Sequence, residues 1–121
     1  MKKKVMVVDN ELDTVGLVKA ILEDAGYEVV EAYSGMECLK KVGAEKPDLI
    51  LLDIMTPDLS GWDVYNRLRK TDNETKVSFL SAIEVSRERM DKLLQSGLSD
   101  YITKPFTADE LLDRVKRILV K

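Results

Sequence analysis

With 121 residues, a net charge of −3 and acids and bases interspersed, the chain suits a single domain that buries roughly two-thirds of its unfolded surface, and it offers no basic face for nucleic acid. Histidine is absent, which excludes a self-contained phosphohistidine or a His-based metal site and leaves acid–base work to carboxylates and lysines. Lone Cys38 excludes an internal disulfide, and no apolar run approaches the ~20 residues that span a bilayer, so a cytoplasmic protein without membrane association is expected.

Five apolar runs alternate with five amphipathic stretches. Val5 to Val8 reads as the first strand, followed by a helix from about Glu11 to Ala25 with Val15, Val18, Leu22 and Ala25 on one face and Gly26 as its stop. Glu28 to Ala32 is a second, more polar strand. Ser34-Gly35-Met36-Glu37 has the form of a capping box opening a helix to about Val42, with Cys38 an inert thiol on its face. In Asp48-Leu49-Ile50-Leu51-Leu52-Asp53, four large apolar residues between Pro47 and Pro57 predict a strand buried on both faces that ends on a carboxylate. A helix near Gly61 to Lys70, a strand Val77 to Ser81, a helix Ser86 to Gln95 stopped by Gly97, and a short strand Asp100 to Thr103 follow. Thr107-Ala108-Asp109-Glu110 is a second capping box. Leu111, Leu112, Val115, Ile118 and Leu119 form the buried stripe of the last helix, and Arg114, Lys116, Arg117 and Lys121 its solvated face.

Strict strand–helix alternation over residues 1–121 implies one α/β domain with a parallel, doubly wound sheet covered on both faces. Strand polarity then orders the sheet. The first, third and fourth strands are the most apolar and belong in the centre, whereas the second, with Glu28 and Glu31, and the short fifth suit the edges, compatible with the order 2-1-3-4-5. Ligands of such sheets bind at the carboxyl ends of the strands. Asp9 and Asn10, Asp53, Ser81 and Lys104 all lie at those ends.

Two carboxylates brought together repel, which a site tolerates by protonating one or by binding a cation. With only oxygen ligands at hand the expected ion is hard and small: Mg²⁺, with Mn²⁺ as the alternative. Mg²⁺ is commonly completed by phosphate oxygens, and Lys104 supplies a positive charge for such a group. A carboxylate so placed can act as nucleophile toward a phosphoryl group, giving an aspartyl phosphate on Asp53.

Taken together, Val8-Asp9-Asn10-Glu11, Asp53 with Pro57 and Gly61 after it, Leu80-Ser81-Ala82 and Tyr101-Ile102-Thr103-Lys104-Pro105-Phe106 resemble the response-regulator receiver domain of two-component signalling over essentially the whole chain. The resemblance implies the flavodoxin-like fold with five strands and five helices. It implies that Asp53 takes a phosphoryl group from a phosphohistidine on a sensor histidine kinase or phosphotransfer protein. Mg²⁺ would be held by the side chains of Asp9, Asn10 and Asp53 and by the backbone carbonyl of Met55. Lys104 and Ser81 would assist at the phosphoryl group. Ser81 and Tyr101 would be the switch pair, with Tyr101 turning inward and altering the face of the fourth helix, fifth strand and fifth helix toward a downstream protein; Arg87, Met90 and Lys92 are exposed candidates on it. Ala82 fits the small residue preferred beside the phosphate, and Lys104-Pro105 is a candidate cis peptide. No effector domain is expected in this chain, and no enzymatic activity beyond phosphoryl acceptance and slow self-dephosphorylation. The slowness is expected from Met55 and Ile83, apolar where the family often carries polar residues able to position water.

Asn10 departs from the family pattern, which usually has a second acid there. As a good N-cap residue at the start of the first helix it has two readings, cap and metal ligand, and the lost charge predicts a higher Mg²⁺ requirement. Three other functions compete. A phosphatase using Asp53 as nucleophile would want an acid two residues on, where Met55 stands. A cofactor binder on the same fold would want Gly, Ser or Thr after the first strand, where Asn10-Glu11-Leu12-Asp13 brings negative charge. A pseudo-receiver acting without phosphate is kept open by Asn10.

Overall fold

The computed structural model describes residues 2–71 and 74–120. Five strands, β1 (Lys4–Val8), β2 (Glu28–Ala32), β3 (Leu49–Leu52), β4 (Lys76–Ser81) and β5 (Asp100–Thr103), alternate with five helices, α1 (Leu12–Asp24), α2 (Gly35–Glu45), α3 (Gly61–Thr71), α4 (Arg87–Gln95) and α5 (Ala108–Val120). All strand pairs are parallel, and the order is β2-β1-β3-β4-β5, the order with which strand polarity and length are compatible. Lys121, assigned above to a solvated face, lies outside the described residues.

Side chains alternate across a strand, so each central strand feeds two cores. Val5, Val7, Leu49, Leu51, Leu80 and Ile102 pack against α1 and α5, through Val15, Val18, Leu22, Leu111, Val115 and Ile118. Met6, Val8, Ile50, Leu52, Val77 and Phe79 point to the other face, where Cys38 of α2, Val64, Tyr65 and Leu68 of α3, and half-buried Met90 and Leu93 of α4 cover them. This is why β3 is apolar at every position and fully buried. α4 buries no side chain completely, and Met90 is half-buried rather than exposed. Burial pushes the Cys38 thiol up to about 12, so it stays protonated at neutral pH.

Helix starts follow the chemistry of their caps. The Thr107 box closes in both directions, Glu110 N–H donating to Thr107 Oγ1 (3.1 Å) and Thr107 N–H to Glu110 Oε1 (2.9 Å). At α2, Ser34 Oγ accepts from Glu37 N–H (3.1 Å), but Glu37 Oε1 reaches back to Tyr33 N–H (3.0 Å), one residue before the cap. α2 continues three residues past Val42 because Lys46 takes the left-handed conformation (φ 48°) that ends it ahead of Pro47. α1 begins at Leu12; its cap position is Glu11, without a side-chain cap bond, so Asn10 does not cap it. Ala25 lies beyond the last turn and is exposed, and Leu112 and Leu119 are half-buried on the flank of the α5 stripe. Arg114 is not merely solvated: its guanidinium forks onto Asp100 (Nε–Oδ2 2.6 Å, Nη2–Oδ1 2.6 Å) and donates to the Tyr101 carbonyl (3.2 Å).

Two glycines separate backbone freedom from close approach. A Cβ on Gly16 would meet nothing within 4 Å, whereas one on Gly61 would stand 2.6 Å from Ile54 Cα and 2.7 Å from the Asp53 carbonyl oxygen. Gly61→Ala is therefore expected to destabilise by about 1–3 kcal/mol, and Gly16→Ala, inside a helix, to stabilise by roughly 0.5–1 kcal/mol; urea unfolding of both variants reads the opposite signs. For Asp100, burial raises its carboxyl but the Arg114 fork outweighs it, holding it below the ordinary aspartate value of 3.8. A depressed carboxyl stabilises the fold above its unfolded value, and that stabilisation is lost as pH falls through the folded one. The melting midpoint of Asp100→Asn should fall less than that of wild type between about pH 5 and pH 2; parallel profiles would remove this role from the pair.

Candidate functional site

Register builds the site. Val8 pairs with Leu52 across β1 and β3, so the next residues, Asp9 and Asp53, leave adjacent strands side by side; the ladder continues past them, with Asp9 N–H donating to Ala32 O (3.1 Å) and Asp53 N–H to Val8 O (3.0 Å). On the far side Ser81 pairs with Thr103, and Lys104 N–H donates to Ser81 O (2.9 Å), which returns Lys104 toward the carboxylates. Its ammonium donates to Asp9 Oδ2 at 2.7 Å and to Asp53 Oδ2 at 3.4 Å. Asp9 is 1% exposed and Asp53 5%. The peptide between Lys104 and Pro105 is cis.

The remaining carboxylate oxygens are tied to the loops that begin at the strand ends. Asp9 Oδ1 accepts from Glu11 N–H (3.0 Å), and Asp53 Oδ1 from Met55 N–H (3.1 Å). Two nearly dry negative charges against one ammonium leave a negative excess. Burial alone would lower the Lys104 ammonium, but the Asp9 hydrogen bond and the two carboxylate charges more than offset it, so its pKa is raised. Among the described residues no three His, Cys, Asp or Glu side chains form a metal-holding group. The residue after Asp9 is the exposed amide Asn10. A cavity of about 620 Å³, lined by Lys3, Lys46, Asp48 and Lys76 among others, opens at the opposite end of the sheet, and none of these site residues line it.

At the end of β4, Ser81 is 1% exposed, and its Oγ accepts from Ile83 N–H (3.2 Å), while Ala82 is exposed. The Tyr101 hydroxyl donates to the Ile83 carbonyl, so the backbone of Ile83 in the β4–α4 loop is held at both its N–H and its C=O. Tyr101 is buried and already turned inward; burial, with the nearby Asp53 charge, raises its phenol above the usual range although the Ser81 hydroxyl works the other way. Its ring meets Phe79 edge-on (centroids 5.9 Å), Phe79 meets Trp62 (5.0 Å), and the Arg89 guanidinium lies 4.6 Å over Trp62. Met55 stands out at the rim, 66% exposed, and Ile83 is half-buried.

Asp9, Asp53 and Lys104 thus meet directly, Ser81 and Tyr101 meet through Ile83, and Asn10 makes no cap. Sequence reasoning did not single out Trp62, Arg89 or Asp58. Asp58 accepts from Gly35 and Met36 at the start of α2, 23 and 22 residues earlier, a pairing that no local pattern announces.

Comparison with known proteins identifies the family and the fold. The family model described as the response regulator receiver domain matches residues 5–116. The chain is 45% identical over 121 residues to the alkaline phosphatase synthesis transcriptional regulatory protein PhoP of Bacillus subtilis, covering 98% of this chain and 49% of that protein. It spans about half the length of the curated relatives it matches. Among solved structures, the receiver domain of Francisella response regulator 1452 is 35% identical with a TM-score of 0.89, covering 98% of each chain. The chemotaxis response regulator CheY4 of Vibrio cholerae is 30% identical with a TM-score of 0.89, covering 98% of this chain and all of that one. With its strand order, its paired aspartates and the lysine between them, the chain belongs to the response regulator receiver family of two-component systems.

Proposed function

We propose that this receiver domain accepts a phosphoryl group on Asp53 from a phosphohistidine of a sensor kinase or phosphotransfer protein. The single observation that carries this reading is the Lys104 ammonium shared by two carboxylates almost out of solvent at the ends of adjacent strands. The transfer balances simply. An Asp53 carboxylate oxygen forms a P–O bond as the P–N bond to the donor imidazole breaks, and the imidazole leaves with the electron pair. Lys104 lies within reach of both the attacking carboxylate and the incoming phosphoryl oxygens, whose charge it offsets.

The donor set fits a hard divalent cation: oxygen ligands only, with a negative excess that one ammonium does not cancel. Asp9, Asp53, the Asn10 amide and the Met55 carbonyl would hold Mg²⁺, or Mn²⁺ in its place. When bound, the ion offsets negative charge on carboxylate and phosphoryl oxygens. Ser81 uses its hydroxyl oxygen to accept from Ile83, and its O–H can donate to a phosphoryl oxygen. Movement of Ser81 toward that group would pull the backbone of Ile83, and with it Tyr101, whose hydroxyl is bound to the carbonyl of the same residue. This supports a signal read at the α4–β5–α5 face by a downstream protein. Asn10 favours one second reading, a pseudo-receiver that binds partners without phosphate.

Incubation with Mg²⁺ and acetyl phosphate should add the mass of one phosphoryl group to the wild-type protein and none to Asp53→Ala. The adduct should persist after the donor is removed, since Met55 and Ile83 bring no polar group to position water. Absence of an adduct at any Mg²⁺ concentration would favour the pseudo-receiver. In the same assay Asn10→Asp should reach half-maximal phosphorylation at lower Mg²⁺ than wild type, because a hard cation is held largely by ligand charge; coincident titrations would remove Asn10 from the ion's ligands.

A further inference from the structure

We propose that Asp58 is a positioning residue for the Asp53 site, a carboxylate that ties the β3–α3 loop to the start of α2 and so sets where the Met55 backbone stands. The inference rests on Asp53 as phosphoacceptor and deepens that reading. Asp58 Oδ1 accepts from Gly35 N–H (2.9 Å) and from Leu59 N–H (2.8 Å), and its Oδ2 from Met36 N–H (2.9 Å). Gly35 and Met36 open α2, and their N–H groups are among those a helix leaves without internal partners. The bonds place an anion at the positive end of the helix, and hydrogen bonding by Met36, with that of Leu59 and Gly35, depresses the Asp58 carboxyl despite some desolvation.

This contact is not needed to start the helix. Ser34 already caps α2 through Glu37 N–H, and the Gly35 and Met36 amides are the ones it does not use. The consequence therefore falls on the loop. Among the described residues, every other hydrogen bond of the 54–60 segment stays between residues 53 and 64: Met55 N–H to Asp53 Oδ1, the Thr56 hydroxyl to the Leu59 carbonyl, Gly61 N–H to Ile54 O, Asp63 N–H to Ser60 Oγ and Val64 N–H to Ser60 O. Among the described residues Asp58 is the one polar tie from this loop to another part of the fold. A second, independent observation marks the same junction: a Cβ on Gly35 would come within 2.8 Å of Val64 Cγ2 and 3.0 Å of Leu59 Cβ, so helix and loop meet at a separation that glycine permits. Loss of the tie frees the segment carrying Met55, whose N–H orients Asp53 Oδ1 and whose carbonyl is the proposed ion ligand.

Three variants test this: Asp58→Ala, Asp58→Asn, which keeps an oxygen able to accept two bonds, and Ser34→Ala, which removes the α2 cap without touching the loop. Asp58→Ala should raise the Mg²⁺ concentration for half-maximal phosphorylation by acetyl phosphate by about tenfold, the scale of an outer-shell loss. Asp58→Asn should recover part of the shift. Ser34→Ala should lower the melting midpoint yet leave the Mg²⁺ titration in place. Amide hydrogen exchange at Met55, which needs no phosphoryl transfer, should quicken in Asp58→Ala and not in Ser34→Ala. If wild type accepts no phosphoryl group, the phosphoacceptor reading fails and the Met55 exchange rates alone decide the loop tie. Unchanged titration and exchange in Asp58→Ala, or equal shifts in Ser34→Ala, would overturn the proposal.

Discussion

Two carboxylates stand almost out of water at the carboxyl end of the sheet, and one ammonium answers both. Such an arrangement is unfavourable unless compensated, because each buried charge forfeits its hydration and the two repel. The aspartates cannot relax apart, since the β1–β3 ladder continues through their own backbone amides. Lys104 cannot leave without exposing both, and it is carried there by β5 through its backbone bond to Ser81. The fold thus holds a standing negative excess where an incoming electrophile and a cation would lower the energy. Most of the molecule is arranged to keep that excess in place.

The loop after Asp53 is held in three ways that act on the same few residues. Gly61 lets α3 begin against the backbone of Asp53 and Ile54, Gly35 lets α2 approach Leu59 and Val64, and the Asp58 carboxylate joins the two. The first two are steric and admit a side chain only if neighbouring atoms shift; the third is electrostatic and directional. A loop fixed from both sides presents its backbone groups with little freedom left to lose on binding.

On the other flank the restraint is lighter. α4 buries no side chain completely; it is attached by half-buried Met90 and Leu93, by the Arg89 guanidinium over Trp62, and by Tyr65, which shares a hydrogen bond with Ser96 just past its end. Elements with few buried apolar contacts are the ones that shift at low cost. Ile83, its N–H held by Ser81 and its C=O by Tyr101, sits between this loosely held helix and the charged end of the sheet. The paired aspartates and the lightly held helix are therefore linked through the backbone of a single residue.

The alternation of apolar runs, the stops at Gly26 and Gly97, and the capping boxes were enough to place all ten elements within a few residues, because each rests on short-range periodicity and backbone chemistry. The polarity of β2 and the shortness of β5 also put these two strands at the edges. Local pattern failed where a distant partner decides. α2 outlasts its apolar stripe because Lys46 accepts a left-handed conformation, Ala25 falls beyond the last turn, and Arg114 is drawn from solvent by Asp100. Asn10 was free to cap α1 by its type, but the helix starts one residue later, with Glu11 at the cap position. By itself, then, the sequence determined the layered parallel sheet and which residues lie at its strand ends, since hydrophobic period and turn chemistry are local. Only the tertiary structure decided the Asp58 bridge, the aromatic contact from Tyr101 to Trp62 and the shared hold on Ile83, because these join groups distant in sequence whose meeting depends on how helices settle on the sheet.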